Sequence, residues 1–383
     1  MTYSLKLPGR TWFGEGALEA ANGELQSLGK KALIVTGKVV IKSAAFARLT
    51  QLLDTSGTGW TVFTGIFGEP DDVMIEDGAK AYLENGCDFL IGLGGGSQLD
   101  SAKAIAAKVA LPGSVTSHAG REIAGDFPKM ALIPTTAGTG SEATRFTVIT
   151  DRAKGAKLLL RGDGLLPNLA IVDPLFTLSA PPALTAHTGM DALTHAVEAF
   201  TSRKATPLTD PYALDAVRRI LKNLPAAYRD GGDRAAREEM AIAAYEAGVC
   251  ISNASVTLVH GMSRPIGAKF HVPHGLSNAM LLAHCLAFAA AGRPEKFARL
   301  ARSCDLAPAD SGDLEAASAL IAALSDLTAA LEIPTLKAYG IPEAEFRAAI
   351  PQMAKEALDS GSPGNTLREV TMDDVVRLYE ALY

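Results

Sequence analysis

Four residues in the second half of the chain have the types and spacing of a metal site. Asp191 and His195 stand four apart in Gly189-Met-Asp-Ala-Leu-Thr-His-Ala-Val-Glu198. That stretch has helical composition, so the two side chains leave one face about a turn from each other. Downstream, His260 and His274 add two imidazoles. Pro265, Gly267, Pro273 and Gly275 around them suggest a helix end and a loop that folds back. Each fragment has a plainer explanation by itself. An Asp–His pair at this spacing is usually a solvated surface pair, and an isolated histidine usually a structural hydrogen-bonding residue. Together they form a carboxylate-and-imidazole donor set without thiolate, which suits Fe(II), Zn(II) or their neighbours rather than Mg or Ca. Four protein donors close a tetrahedral zinc, whereas a reactive site keeps a position open. An ion with five or six coordinates therefore serves better, which favours Fe(II) over Zn(II).

A second candidate site lies in the first half. Phe89-Leu-Ile-Gly-Leu-Gly-Gly-Gly-Ser97 runs from an apolar strand into three successive glycines, then into a helix with Leu99, Ala102, Ile105, Ala106 and Val109 on one side. Glycines let the backbone turn sharply and approach a ligand. The helix start offers unpaired N–H groups and the positive end of its dipole, which suits a pyrophosphate. The same pattern also describes a tight strand-to-helix turn that binds nothing, and it is not the G-x-G-x-x-G fingerprint. Pro134-Thr-Thr-Ala-Gly-Thr-Gly-Ser-Glu142 is a second polar loop after a strand, able to line a ribose–phosphate channel or simply to connect two elements.

These sites need elements to hold them. Short apolar runs at Ala32–Thr36, Trp60–Thr64, Phe89–Leu93, Met130–Pro134 and Leu169–Asp173 read as buried strands. Helical stretches such as Val73–Asn85 and Gln98–Val109 fall between most of them, which predicts a parallel sheet covered on both faces. After Pro181-Pro182 the pattern turns helical, at Leu184–Thr201, Pro211–Leu224, Arg234–Ser255 and Leu314–Leu331. The expectation is an α/β dinucleotide-binding domain over 1–182 and an all-α metal-binding and substrate domain over 183–383. The chain has 383 residues, 48% hydrophobic and 20% charged, enough for two cores. A formal charge of −6 argues against nucleic acid or an anionic membrane as partner. No basic-then-apolar N-terminal stretch is present, and the longest apolar run, near Leu281–Gly292, is too short to span a bilayer. Cys87, Cys250, Cys285 and Cys304 form no CxxC pair and read as free thiols in a reducing cytoplasm.

The combination of Trp12-Phe-Gly-Glu-Gly16, Gly94-Gly-Gly-Ser-Gln-Leu-Asp100, Pro134 to Glu142, Gly189-Met-Asp-Ala-Leu-Thr-His195 and Pro273-His-Gly275, in this order, resembles the iron-containing (group III) alcohol dehydrogenases. The resemblance spans nearly the whole chain. It implies that Asp191, His195, His260 and His274 ligate Fe(II). It implies that Gly94, Gly95, Gly96 and Ser97 hold the cofactor pyrophosphate, that Asp100 fixes the start of that helix, and that Thr135, Thr136 and Thr139 line the cofactor cleft. Hydride transfer between nicotinamide C4 and a small alcohol or aldehyde follows, with His271 as a candidate proton relay or, alternatively, the cap of its loop. Homodimers or larger homo-oligomers are implied as well.

Two positions depart from the family pattern. Many NAD-preferring members carry an acidic residue just after the second strand, whereas here the strand ends in Gly37 followed by Lys38. With no carboxylate to repel a 2′-phosphate, NADP(H) is expected to serve as well as or better than NAD(H). Lactaldehyde-reductase-like members have a further histidine four residues after the third ligand, where this chain has Arg264. A guanidinium there offers two prongs to a carboxylate, sulfonate or phosphonate, with Arg145 and Lys269 as possible additions to the field. Alternatively Arg264 pairs with an acidic neighbour and the substrate is a neutral alcohol. Cyclising lyases of the dehydroquinate-synthase type share the two-domain plan, the metal and NAD, and form the competing enzyme class. Their phosphorylated substrates need several Lys and Arg, which these largely apolar segments lack.

Overall fold

The computed structural model describes residues 2–383, which fall into two compact units interleaved along the chain. One comprises Lys6–Ala180 and Gly231–Ser252, the other Pro181–Asp230 and Asn253–Tyr383 with the first few residues. The single division expected at residue 182 does not describe Gly231–Ser252, which groups with the α/β unit.

The α/β unit is built on a six-stranded parallel sheet of β1 (Arg10–Phe13), β2 (Lys31–Thr36), β3 (Gly59–Phe63), β4 (Phe89–Gly94), β5 (Lys129–Pro134) and β8 (Leu169–Val172). Its order is β1-β8-β5-β4-β2-β3. Alternate strand residues feed opposite faces. Leu33, Val35, Leu90, Met130 and Leu132 pack with α4 (Asp72–Glu84) and α5 (Gly96–Ala110). Ala32, Ile34, Ile91, Ala131 and Ile133 pack with α1 (Ala17–Ala20), α2 (Asn22–Leu28) and α3 (Ala44–Thr55). Both faces being covered explains the unbroken apolar strands. Five of these strands match the expected runs. β1 was not expected, and neither was an antiparallel hairpin of β6 (Phe146–Asp151) and β7 (Ala156–Arg161). The helix α8 (Arg234–Ala254) joins this unit through its side chains. Tyr245 hydrogen-bonds Thr11 at 2.9 Å and meets Phe13 edge-on, while the Ser252 hydroxyl accepts from the Arg145 N–H.

The helical unit contains α6 (Pro182–Phe200), α7 (Asp210–Arg229), α9 (Leu258–Phe270), α10 (His274–Ala290), α11 (Pro294–Ser303), α12 (Asp313–Ala330), α13 (Leu336–Tyr339), α14 (Glu343–Asp359) and α15 (Met372–Glu380). Helix α6 opens on a proline, as its first turn permits. From Gly189 onward every residue of α6 is buried, so its ionisable groups must find partners inside the protein. Helix α9 corrects the sequence reading, because it runs straight through Pro265 and Gly267 and the connecting loop shrinks to His271–Pro273. Burial on the helix's inner face outweighs the local cost of proline; the buried Tyr379 of α15 also ties it down, donating to the Met262 carbonyl at 2.6 Å. All four cysteines are free thiols. No single helix among the described residues is long and apolar enough to cross a membrane.

Candidate metal centre and cofactor cradle

Asp191 and His195 project from one face of the buried helix α6, His260 from α9, and His274 from the first position of α10. One donor atom from each lies within 4.8 Å of the others. Asp191 Oδ1 is 3.8 Å from His195 Nε2, 3.8 Å from His260 Nε2 and 3.7 Å from His274 Nε2. Four donors each about 2.1 Å from one ion stand roughly 3.4 Å apart in a tetrahedron, so small side-chain movements close this set around a cation. Asp191, His195 and His260 are buried, and the His274 side chain is 35% exposed, which leaves that side open. A residue without a side chain makes the convergence possible. A Cβ on Gly275 would lie 2.3 Å from the His187 carbonyl oxygen and 3.2 Å from the Asp191 Cβ, so only glycine lets the start of α10 rest on α6.

The electrostatics favour a neutral-imidazole, ionised-carboxylate state. Burial alone would raise the Asp191 pKa, but the three imidazoles bring it below the ordinary carboxylate range. Burial, reinforced by His195, pushes the His260 pKa well down. Glu198, which was not among the expected site residues, fixes His260 from behind. It is fully buried and accepts from His260 Nδ1 at 2.5 Å, the Val259 N–H at 2.6 Å and the Thr257 hydroxyl at 2.7 Å. Burial raises its pKa and these donors oppose that rise. With Nδ1 donating to Glu198, the lone pair of His260 Nε2 faces the cluster. A signal was present in the sequence: an acid one turn past His195, in an otherwise apolar helix, must be paired. Asn278, four residues after His274, is likewise buried against the cluster, 2.7 Å from Asp191 Oδ1.

Arg264 follows His260 by one turn and is partly buried. Its guanidinium donates to the Ser362 hydroxyl at 3.0 Å and has no carboxylate within ion-pair distance among the described residues. Burial lowers its pKa and the field of Glu198 opposes this. Arg145 is engaged elsewhere, by Glu122 and by Asp163 at 2.8 Å, and Lys269 is exposed beside Phe270. His271 ends α9 in a left-handed conformation, φ +54, with an exposed side chain. The structure thus places it at the loop cap.

In the α/β unit the two polar loops meet. The Thr135 N–H donates to the Gly94 carbonyl at 2.9 Å. A Cβ on Gly96 would lie 2.6 Å from Thr139 Cγ2, and one on Gly95 3.6 Å from Thr136. Gly94 to Ser97, Thr135, Thr136 and Thr139 therefore form one cradle at the carboxyl ends of β4 and β5, over the start of α5, as open parallel sheets favour. Gly37 joins from neighbouring β2, with Gln98 Nε2 3.1 Å from where its Cβ would be. Gln98 is a cradle residue that the motif reading missed. Lys38 stacks on the exposed Phe67 ring at 4.3 Å. Asp100 does not cap α5; its carboxylate accepts from the Val148 N–H at 2.9 Å and ties α5 to β6.

A sheet-based nucleotide cradle and a buried carboxylate–imidazole cluster together define a metal-dependent, nicotinamide-linked oxidoreductase class. Residues 8–174 match the family described as iron-containing alcohol dehydrogenase, and 185–383 match its C-terminal part. The chain belongs to this family. It is 36% identical to 1,3-propanediol dehydrogenase of Klebsiella pneumoniae over 382 residues, covering 98% of each chain. It is 36% identical to lactaldehyde reductase of Escherichia coli K12 over 384 residues, 97% of each. A solved 1,3-propanediol oxidoreductase superimposes with a TM-score of 0.96 at 34% identity, covering 100% of both chains. These are dehydrogenases and reductases, and the lyase alternative finds no support.

Proposed function

We propose that this chain interconverts a small alcohol and its aldehyde with a nicotinamide cofactor, using a cation held by Asp191, His195, His260 and His274. The convergence of those four donors within 4.8 Å of one another supports the reading. Three imidazoles and a carboxylate favour Fe(II), with Zn(II) as the alternative. When bound, such a cation polarises the alcohol or carbonyl oxygen, and the nicotinamide exchanges hydride with the adjoining carbon. The protein's own groups supply the rest. Glu198 holds the His260 ring in its donor tautomer, and Asp191 offsets the cation's charge. The backbone N–H groups at the start of α5 receive the pyrophosphate, while the threonines and Gln98 line its approach. With Gly37 in place of an acid and Lys38 beside it, NADP(H) is accepted at least as well as NAD(H). A homodimer or larger homo-oligomer in the cytoplasm completes the proposal.

The substrate carries an anionic group bound by Arg264. A partly buried guanidinium one helical turn from His260, whose hydrogen-bond partner among the described residues is the neutral Ser362 hydroxyl, supports this, since a carboxylate or sulfonate answers its remaining donors. The test is a panel of neutral and anionic short aldehydes assayed with NADH and NADPH, on wild type and R264A reconstituted with Fe(II). R264A is expected to raise KM for anionic aldehydes by about tenfold or more, the value of a lost charge-assisted pair, and to leave neutral ones nearly unchanged. Equal changes for both classes refute the anion site, and a strong NADH preference refutes the cofactor assignment. Absence of turnover with any aldehyde refutes the activity.

A further inference from the structure

Arg264 leaves α9 one turn beyond His260, and its Nη1 donates to the Ser362 hydroxyl at 3.0 Å. Among the described residues neither Nε nor Nη2 has a hydrogen-bond partner, and neither is sealed from solvent. A guanidinium holds its N–H groups in one plane, with Nε–H and an Nη2–H parallel along one edge. That edge matches two oxygens of a single oxyanion, and Ser362 takes nothing from it. The segment that carries the buried Ser362 is itself pinned. A Cβ on Gly261 would lie 2.6 Å from Pro363 Cγ, so α9 rests on this segment between His260 and Arg264. Asn365 Nδ2 donates to the Val256 carbonyl at 2.9 Å, just ahead of α9. Beyond the end of α6, Arg203 Nε donates to the Thr366 carbonyl at 2.6 Å. Ser362 is therefore a fixed acceptor.

A long arginine side chain loses much rotamer freedom when a ligand fixes it, and a partner that orders it beforehand removes that cost from binding. We infer that Ser362 is a positioning residue of the substrate site. By taking Nη1 it fixes the guanidinium plane and leaves the Nε–Nη2 edge for two oxygens of a carboxylate or sulfonate on the substrate. The inference rests on the reading of Arg264 as an anion site and deepens it, because the site then reads edge geometry and not charge alone. A hydroxyl suits this role, since it accepts a hydrogen bond without neutralising the cation. A carboxylate in its place would cancel the charge that the substrate must meet. Lysine carries the same charge without a planar edge and cannot stand in for Arg264.

The full-length protein reconstituted with Fe(II) is assayed on succinic semialdehyde, glyoxylate and sulfoacetaldehyde, each beside a neutral aldehyde of similar length. The readout is selectivity, the ratio of kcat/KM for the anionic probe to that for its neutral partner, with kcat and KM resolved separately. S362A is expected to lower the ratio about three- to tenfold, through KM and not through kcat. S362C keeps the volume with a far weaker acceptor; it is expected to do the same, and it decides the question where S362A fails to fold. R264K keeps the charge without the edge and is expected to lower the ratio at least as far. Added to R264A, the S362A change is expected to shift the ratio less than about twofold, because Ser362 acts through Arg264. A wild-type ratio in S362A and S362C, or in R264K, overturns the inference, while a selective loss in R264A leaves the anion site standing. A full further loss when S362A is added to R264A also overturns it, since Ser362 would then act on the substrate by itself. So does an equal loss on both aldehyde classes in S362A, which marks a purely structural role. A wild-type ratio in R264A refutes the anion reading, and the inference falls with it.

Discussion

At the scale of single residues, the centre depends on groups that touch no substrate. Glu198 takes three hydrogen bonds in a fully buried position, one of them from a cluster imidazole. Replacing it by Gln preserves volume but brings an amide N–H against the Val259 N–H or His260 Nδ1. E198Q is therefore expected to lower metal affinity about 10–100-fold, measured by metal content after dialysis against a graded chelator series. A variant that retains its metal as wild type does would show that the His260 ring is held by packing alone. Glu198 was within reach of sequence reasoning, since a buried acid without a partner is too costly to keep. Arg264 was legible as a departure, yet whether a carboxylate neutralised it depended on loops far away in the chain. The hydroxyl it meets belongs to Ser362, and no local pattern links the two.

At the scale of elements, close approach decides which side chains meet. Gly275 lets α10 rest on the backbone of α6. G275A puts a methyl 2.3 Å from the His187 carbonyl oxygen, so α10 must retreat and carry His274 away from Asp191. The expected result is a loss of roughly 1–3 kcal/mol of stability together with a sharp fall in metal affinity; unchanged Co(II) binding would contradict this. The joint of α5 with the Thr135–Glu142 loop has a pH signature. Burial raises the Glu142 pKa to about 7, against the pull of its own backbone hydrogen bond and Lys103, and burial lowers the Lys103 pKa to about 8. A carboxyl whose folded pKa lies above its unfolded value contributes stability that is complete below about 4.5 and is lost as pH rises through about 7. Lys103 stays charged in that window. E142Q removes the titration, so its melting temperature relative to wild type is expected to climb by several degrees between pH 5 and pH 7. A pH-independent difference would mean that Glu142 is better solvated than its 2% exposure indicates.

At the scale of the whole molecule, the four cluster residues come from two stretches of one unit, Pro181–Asp230 and Asn253–Tyr383, that are separated in sequence by Gly231–Ser252 of the other. A cation therefore cross-links parts of the chain that are distant in sequence. Binding to the folded state alone stabilises it by about 2.7 kcal/mol at a hundredfold excess over Kd. Chelation is expected to lower the melting temperature by several degrees. It should also accelerate hydrogen exchange in α6, α9 and the first turns of α10 while sparing β2, β4 and β5. Uniform acceleration over the sheet as well would argue that the cation acts globally and not through this cluster.

The sequence by itself determined the parallel sheet, because strands covered on both faces must be apolar throughout, and it determined the donor types, because chemistry resides in side chains. It missed β1 and the β6–β7 hairpin, whose residues are only partly buried and so lack a continuous apolar run, though the alternation in Phe146–Asp151 carried a usable period-two signal. It ended α9 too early, since proline's local penalty is small beside what a buried helix gains from its packing. Only the tertiary structure decided that α8 joins the sheet unit, that Glu198 and Asn278 adjoin the cluster, and that Arg264 has no counter-ion among the described residues. Those facts depend on which residues meet across long stretches of chain, and periodicity along the chain carries no information about them.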